Sequence, residues 1–283
     1  MLAPVTVIIH TLNEEVNLPF TLSNVVGWAN EIFVVDSQST DRTVELARAF
    51  GVETVSRECS RESLVEQRNW ALDNLPIKNE WVFILDADEM MPEELKSEVE
   101  CLVGESAPGR DGYWCRFRTI FLGRWIKHAS MYPSWSLRLF RHKLVRYERR
   151  EVNSHPLVDR GREGYLGHDL LHEDRRGFYH YVKRLNEFST LEARAYRSAL
   201  TRKDSHLLQG RLFGTPAERR RYLKSVFVKL PMRPAILFFY LYFIRRGFLD
   251  GRPGFDYCLY KAVAEWLVSV KMREEFSTES ERV

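Results

Sequence analysis

The chain has 283 residues, 45% of them hydrophobic and 13% aromatic, enough to bury one large α/β domain with or without an extension. Its 42 Lys and Arg against 39 Asp and Glu leave a net charge of only +3, which points away from a polyanion partner such as nucleic acid. Cys59, Cys101, Cys115 and Cys258 form no Cys-x-x-Cys pair, which argues against a zinc ribbon or a disulfide framework and suits a reducing cytoplasm. No basic region precedes the first strand-like segment, so a cleaved signal peptide is not expected. The first hundred residues alternate strands and helices. Val5 to Ile9 reads as a buried strand, followed by the polar turn Asn13-Glu14-Glu15 and a helix over Val16 to Val26. Glu31 to Val35 is a second strand, ending on Asp36. Thr43 to Phe50 is a helix with Gly51 placed for its C-cap, and Val52 to Ser56 is a short third strand. A helix over Ser63 to Leu75 leads into a fourth strand, Trp81 to Leu85. This order predicts a mostly parallel sheet with right-handed crossovers, whose site lies beyond the carboxyl ends of its strands.

Three of the four strand ends are polar: Asn13-Glu14, Asp36 to Asp41, and Asp86-Ala87-Asp88-Glu89. They should converge on one crevice. Two carboxylates one residue apart at a buried strand's end supply hard oxygen ligands suited to Mg²⁺ or Mn²⁺ carrying a substrate's phosphates. Asp36 at its strand end can accept from a base N–H or a ribose hydroxyl, while Asp41 reads as a cap for the next helix. From Gly112 to His172 short β-like pieces, Tyr113 to Phe117 and Leu137 to Phe140, lie among aromatic and basic residues, which suits a mixed sheet over an acceptor. Trp114, Trp125, Tyr132 and Trp135 can stack on sugar rings or pack a core. Arg138 to Arg162 and Arg219 to Arg252 are rich in cations, as solvated faces, phosphate sites and anionic membrane contacts all are. Tyr179 to Leu200 is a strong amphipathic helix. The apolar run Ala235 to Ile244, flanked by Lys and Arg, is too short to span a bilayer. It fits either an interfacial membrane helix or a core helix.

Four ordered motifs carry a resemblance. They are Val7-Ile8-Ile9-His10-Thr11-Leu12-Asn13-Glu14-Glu15, Val34-Val35-Asp36 through Thr43, Glu66 through Leu72, and Leu85-Asp86-Ala87-Asp88-Glu89. Together they resemble the inverting family 2 glycosyltransferases with the GT-A fold. His172, Lys183 to Ala193 and Gly247 to Gly254 look like the bacterial branch that builds lipopolysaccharide core and exopolysaccharide. The resemblance implies an α/β GT-A domain over 1–175, a Rossmann-like, mostly parallel sheet flanked by helices, and a helical C-terminal region over 176–283. It implies a nucleotide-sugar donor, a UDP-hexose for preference, and a glycan or lipid-linked glycan acceptor. The setting would be cytoplasmic, with peripheral contact to the inner face of an anionic membrane.

The resemblance also assigns roles residue by residue. Thr11 and Glu14 would contact the nucleoside, Asp36 the base or ribose, and Arg68 the base or diphosphate. Asp86 would lie near the donor ribose or sugar, and Asp88 would bind the Mg²⁺ or Mn²⁺, with His172 as a candidate to complete that site. Inversion needs a general base on the acceptor hydroxyl. Relatives carry Val-His-Glu after a Leu-Phe strand; here Glu151-Val152-Asn153-Ser154-His155-Pro156 places Ser154 where that Glu falls. Glu151, His155 and Asp159 are the nearest alternatives, with Glu151 favoured and Asp174 as a fallback acid–base group. Two other readings stand beside this one. A sugar nucleotidyltransferase shares a similar sheet but usually has a Gly-rich loop after the first strand, and His10 to Glu15 has no glycine. A degenerate glycan-binding protein would explain Ser154 but not the intact Asp36, Asp86 and Asp88.

Overall fold

The computed structural model describes residues 2–58, 64–104, 109–130, 132–147, 156–158, 161–201, 226–227 and 230–280. Two compact units arise, one from residues 1–127 and 131–177, the other from 128–130 and 178–283.

The first unit is built on β1 (Ala3–Thr11), which lies between β2 (Ala29–Asp36) and β4 (Trp81–Asp86), parallel to both. Val5, Val7, Ile8 and Ile9 of β1 are wholly buried, as are Val82 to Leu85 of β4. A strand covered on both faces is apolar without alternation, which is why these runs were legible as parallel strands. Successive residues nonetheless serve different cores. Phe83 and Leu85 join Val7, Ile9 and Val34 beneath α1 (Leu18–Val25) and α4 (Glu93–Gly104). Val82 and Ile84 join Ile8, Phe33 and Val35 beneath α3 (Leu64–Asn74). α2 (Thr43–Ala49) ends where Gly51, at φ 72°, donates its N–H to Arg48 O and leads into β3 (Glu53–Ser56).

Past β4 the same sheet becomes mixed. With β5 (Glu89–Met90), β6 (Gly112–Phe121), β8 (Trp135–Arg141) and β11 (Glu163–Glu173), its order is β3-β2-β1-β4-β8-β6-β11-β5, and β7 (Arg124–Trp125) hairpins onto β6. The β-like pieces expected in the middle region therefore extend the main sheet. β9 (Val145–Tyr147) and β10 (Pro156–Val158) form a separate antiparallel pair. β11 pairs in parallel with β6 and antiparallel with β5, and the second pairing sets His172 opposite Glu89.

The second unit is helical. α5 (Gly177–Thr201) covers the predicted amphipathic helix, and α7 (Gly251–Ser280) packs Val268 and Met272 against its Ala193. The apolar run of the sequence forms α6 (Arg233–Phe239), continued as a π-helical turn over Tyr240–Ile244 and followed by a 3₁₀ turn over Gly247–Asp250. Among the described residues, no helix is long and apolar enough to cross a membrane.

Candidate active site

The loops after β1 and β2 are tied to each other. Asn13 and Gln38 both turn the chain at positive φ, a conformation that Asn tolerates better than most residues. The Asn13 N–H donates to Ser39 Oγ at 2.8 Å, and Asn13 Oδ1 accepts the Thr40 N–H at 2.8 Å. The Glu14 N–H donates to Thr43 Oγ1 at 2.7 Å and the Glu15 N–H to Asp41 Oδ2 at 3.1 Å. Asp41 also accepts the Thr43 N–H at 3.0 Å, securing the first turn of α2 as its capping pattern predicts. Asp36 is fully buried beneath this rim and accepts from Thr11 Oγ1 and the Ser39 N–H, both at 2.9 Å, and from Ser39 Oγ at 2.5 Å. Its oxygens, and the Thr11 hydroxyl, are thereby engaged in holding the two loops.

Asp86, at the tip of β4, is one-third exposed and faces two guanidinium groups. Arg68 of α3 reaches its Oδ1 at 3.1 Å, and Arg138 of β8 reaches its Oδ2 at 2.8 Å. Burial opposes ionisation of Asp86, but Arg138 and Arg68 outweigh it and hold the carboxyl well below the usual range. Arg138 is itself buried and donates to Glu89 Oε1 at 2.6 Å, while Glu89 Oε2 accepts the Asp86 N–H at 2.9 Å. Burial pushes Glu89 up to about 7 against the pull of Arg138. Arg138 and Glu89 thus form a buried brace behind Asp86. An arginine inside the apolar run Leu137-Arg138-Leu139-Phe140 was the signal for this brace, and it reads equally as part of a basic patch.

Asp88, 6% exposed, follows in the turn, and its carbonyl accepts the Glu173 N–H at 2.8 Å. The β5–β11 pairing brings His172 Nδ1 to 3.4 Å from Asp88 Oδ1 and 3.8 Å from Glu89 Oε1. Two ligands at right angles on one ion at about 2.1 Å lie about 3.0 Å apart, so Asp88 and His172 fit an octahedral cation with little movement. Among the described residues no larger grouping of His, Cys, Asp or Glu forms a metal cage. An ion that keeps waters and phosphate oxygens in its shell does not require one.

Glu14 and Asp174 meet beside this pair, on Asn17 and Arg176. Asn17 Nδ2 donates to Glu14 Oε2 at 2.9 Å and to Asp174 Oδ1 at 3.1 Å, and its Oδ1 accepts the Arg175 N–H at 2.8 Å. Asn17 therefore makes no cap on α1, the role its place before Leu-Pro suggests. Arg176 grips Asp174 with Nε at 2.8 Å and Nη2 at 2.7 Å, and reaches Glu14 Oε1 at 2.7 Å. Burial raises Asp174's cost of ionising, yet the Arg176 and Asn17 bonds keep its carboxyl well below the usual range. Burial lifts Glu14 to about 7, partly offset by Arg176. Asn17 and Arg176 are site-shaping residues that no sequence motif marked. Glu151, His155 and Asp159, with Ser154 between them, lie outside the described residues. Of the aromatic group, Trp114 packs on the second core and donates to Glu163 at 2.8 Å, while Trp125 and Trp135 each carry a guanidinium on a ring face.

Residues 6–155 match the family described as Glycosyl transferase family 2. An uncharacterized glycosyltransferase of Rickettsia bellii is 25% identical over 276 residues, covering 95% of this chain and 86% of the relative. Among solved structures, a Pyrobaculum calidifontis mannosyltransferase in complex with GDP-Man and Mn²⁺ is 17% identical, covers 95% of this chain and 88% of its own, and has a TM-score of 0.48. The S. aureus TarS fragment 1–349 is 14% identical over 96% of this chain and 91% of its own, with a TM-score of 0.44. With more than half of its length under the family match, the chain belongs to glycosyl transferase family 2, the nucleotide-sugar-dependent transferases.

Proposed function

We propose that the protein is an inverting, metal-assisted hexosyltransferase that moves a sugar from a nucleotide sugar, a UDP-hexose for preference, to a lipid-linked, lipopolysaccharide or exopolysaccharide acceptor. The observation that carries this reading is the meeting of Asp86, braced by Arg68 and Arg138, with Asp88 and His172 beyond the carboxyl ends of parallel strands. Asp88 and His172 would hold the Mg²⁺ or Mn²⁺, which when bound offsets the charge developing on the departing diphosphate. Asp86, kept ionised by its two arginines, is suited to accept a hydroxyl of the donor ribose or sugar. The loop rim built on Asp36, Thr11, Asn13 and Ser39 holds a fixed floor for the nucleoside. Glu14, already bound to Asn17 and Arg176, supports that floor and the Asp88 side of the crevice. Glu151 is the residue we assign to deprotonate the acceptor hydroxyl, with His155 next; Asp174, gripped on both oxygens by Arg176, then acts as a positioning group.

The second unit supports a peripheral membrane setting. Ile236, Phe239, Phe243 and Ile244 are 41% to 63% exposed and are followed directly by Arg245 and Arg246. An apolar ridge with adjoining cations suits the interface of an anionic bilayer.

The test is thermal unfolding with UDP, GDP, CDP and ADP, each with and without Mn²⁺, on the wild type and Asp88→Asn. A ligand at a hundredfold its Kd stabilises by about 2.7 kcal/mol. One diphosphate should do so only with metal and only in the wild type, and Glu151→Gln should keep that shift while losing turnover. If no diphosphate stabilises the wild type under any condition, the reading fails.

A further inference from the structure

The face of β6 that carries Trp114 also carries Arg116 and Arg118, because side chains alternate along a strand. Trp114 packs on the second core, the side to which Val82 and Ile84 belong, and the same alternation puts Asp86 there too. One strand, β8, separates β6 from β4, so this face lies about 10 Å from Asp86.

Both arginines converge on a single buried carboxylate. Asp169, 3% exposed in its side chain, meets Arg116 Nε at 2.7 Å and Arg118 Nε at 2.8 Å, and accepts the Tyr132 hydroxyl at 2.9 Å. Two cations on one anion leave a surplus positive charge. Arg116 spends its Nη2 on the Gly167 carbonyl and lies 5.3 Å from the centre of the Trp135 ring. Arg118 behaves differently. Its guanidinium sits 5.0 Å from the centre of the Trp125 ring, its side chain is 44% exposed, and its two terminal nitrogens make no hydrogen bond among the described residues. The Nε fixed by Asp169 and the plane fixed by Trp125 leave a preorganised fork of donors. Beside it the Trp125 Nε1–H is buried and, among the described residues, has no acceptor. A buried N–H without an acceptor is costly and rare, and this one belongs to the ring that Arg118 covers. The aromatic faces are taken up by guanidinium, so this surface presents charge and N–H groups where bare rings would present stacking area.

We propose that Arg118 and the Trp125 N–H form a subsite for a phosphate carried by the acceptor sugar. The proposal rests on the transferase reading above and names the acceptor's chemistry. A phosphate monoester accepts from a guanidinium fork and a third N–H at once, and its charge matches the local surplus.

The experiment titrates the full-length protein, without divalent cation, with inorganic phosphate, glucose 6-phosphate, glucuronate and glucose, following binding by calorimetry or ligand-observed NMR. Glucose 6-phosphate and phosphate should bind, and glucose should not. Arg118→Ala should weaken phosphate binding roughly tenfold or more. Trp125→Phe, which removes the N–H and keeps the ring, should weaken it about fivefold and keeps the test open if Arg118→Ala unfolds. Wild-type indifference to phosphate, phosphate binding unchanged in both variants, or preference for glucuronate would each overturn the proposal. Stabilisation by UDP, GDP, CDP and ADP with Mn²⁺ is measured alongside: its absence with all four in the wild type counts against the transferase reading, while loss of phosphate binding alone counts only against this subsite.

Discussion

His10, the residue before the end of β1, carries an imidazole whose two ring nitrogens are both shut from solvent and without a hydrogen bond among the described residues. Burial, reinforced by the nearby Arg68, lowers its pKa to about 3, so it is neutral in the folded protein across the physiological range. The unfolded chain takes up a proton near pH 6.5 and the folded one only near pH 3. Between those values the unfolded state therefore binds more protons, and stability falls as pH falls, by roughly 1.4 kcal/mol per pH unit at most. Above pH 6.5 the contribution is constant. His10→Phe should flatten the acid limb of the stability–pH curve relative to the wild type, as read by urea unfolding between pH 7 and pH 4. Parallel curves would mean that the imidazole finds an acceptor and is not held neutral. His10 sits beside a strand-end motif legible in the sequence, but its neutral state depends on the burial and the Arg68 charge that other segments bring to it.

At the scale of elements, β1, β2 and β4 could be read directly, since burial on both faces leaves an unbroken apolar run. β11 could not. Only Leu166, Asp169 and Leu170 of Glu163–Glu173 are buried, and the strand exists because β6 and β5 flank it. The start of α7 shows the same dependence on neighbours. A Cβ at Gly254 would stand 2.5 Å from Asp250 Cβ and closer still to the Gly247 carbonyl, so the first turn of α7 lies directly on the 3₁₀ turn. Asp250 in turn is buried and accepts the backbone N–H groups of His128 and Ala129, both at 2.9 Å. Gly254→Ala should lower stability by about 1–3 kcal/mol, as overpacking does. Gly104→Ala, at the end of α4 with nothing within 4 Å of a Cβ, should be neutral or stabilising by up to about 1 kcal/mol. Thermal unfolding of the two variants side by side checks both; equal midpoints would mean that the turn yields to the methyl group.

For the whole molecule, the proposed membrane contact predicts binding to vesicles of anionic lipid that weakens with salt. Each buried Phe contributes roughly 1.5–3 kcal/mol, so replacing Phe239 and Phe243 together with Ser should cut co-sedimentation with phosphatidylglycerol vesicles by well over tenfold. Vesicle binding that survives the double change would move the contact elsewhere on the chain. Part of the candidate site's arrangement was also legible: the three polar strand ends were expected to meet, and the Asn13 loop is bonded to Ser39 and Thr40 while Asp86 is paired with Arg68. The residues that set its charge state were not. Arg138 comes from β8 and Arg176 follows β11, whereas His172, a candidate already named from the sequence, reaches Asp88 through a two-residue strand pairing.

What the amino-acid sequence determined alone was whatever depends on neighbours along the chain. Apolar runs made parallel strands, Gly51 ended a helix, and polar residues followed three of the first four strands. What only the tertiary structure decided was pairing across the chain: the brace behind Asp86, the grip of Arg176 on Asp174, and the sharing of Asp169 by Arg116 and Arg118. The reason is physical. A strand's hydrophobicity is a local property of side chains, whereas the protonation and aim of a buried charge depend on which opposite charge the fold brings within about 3 Å.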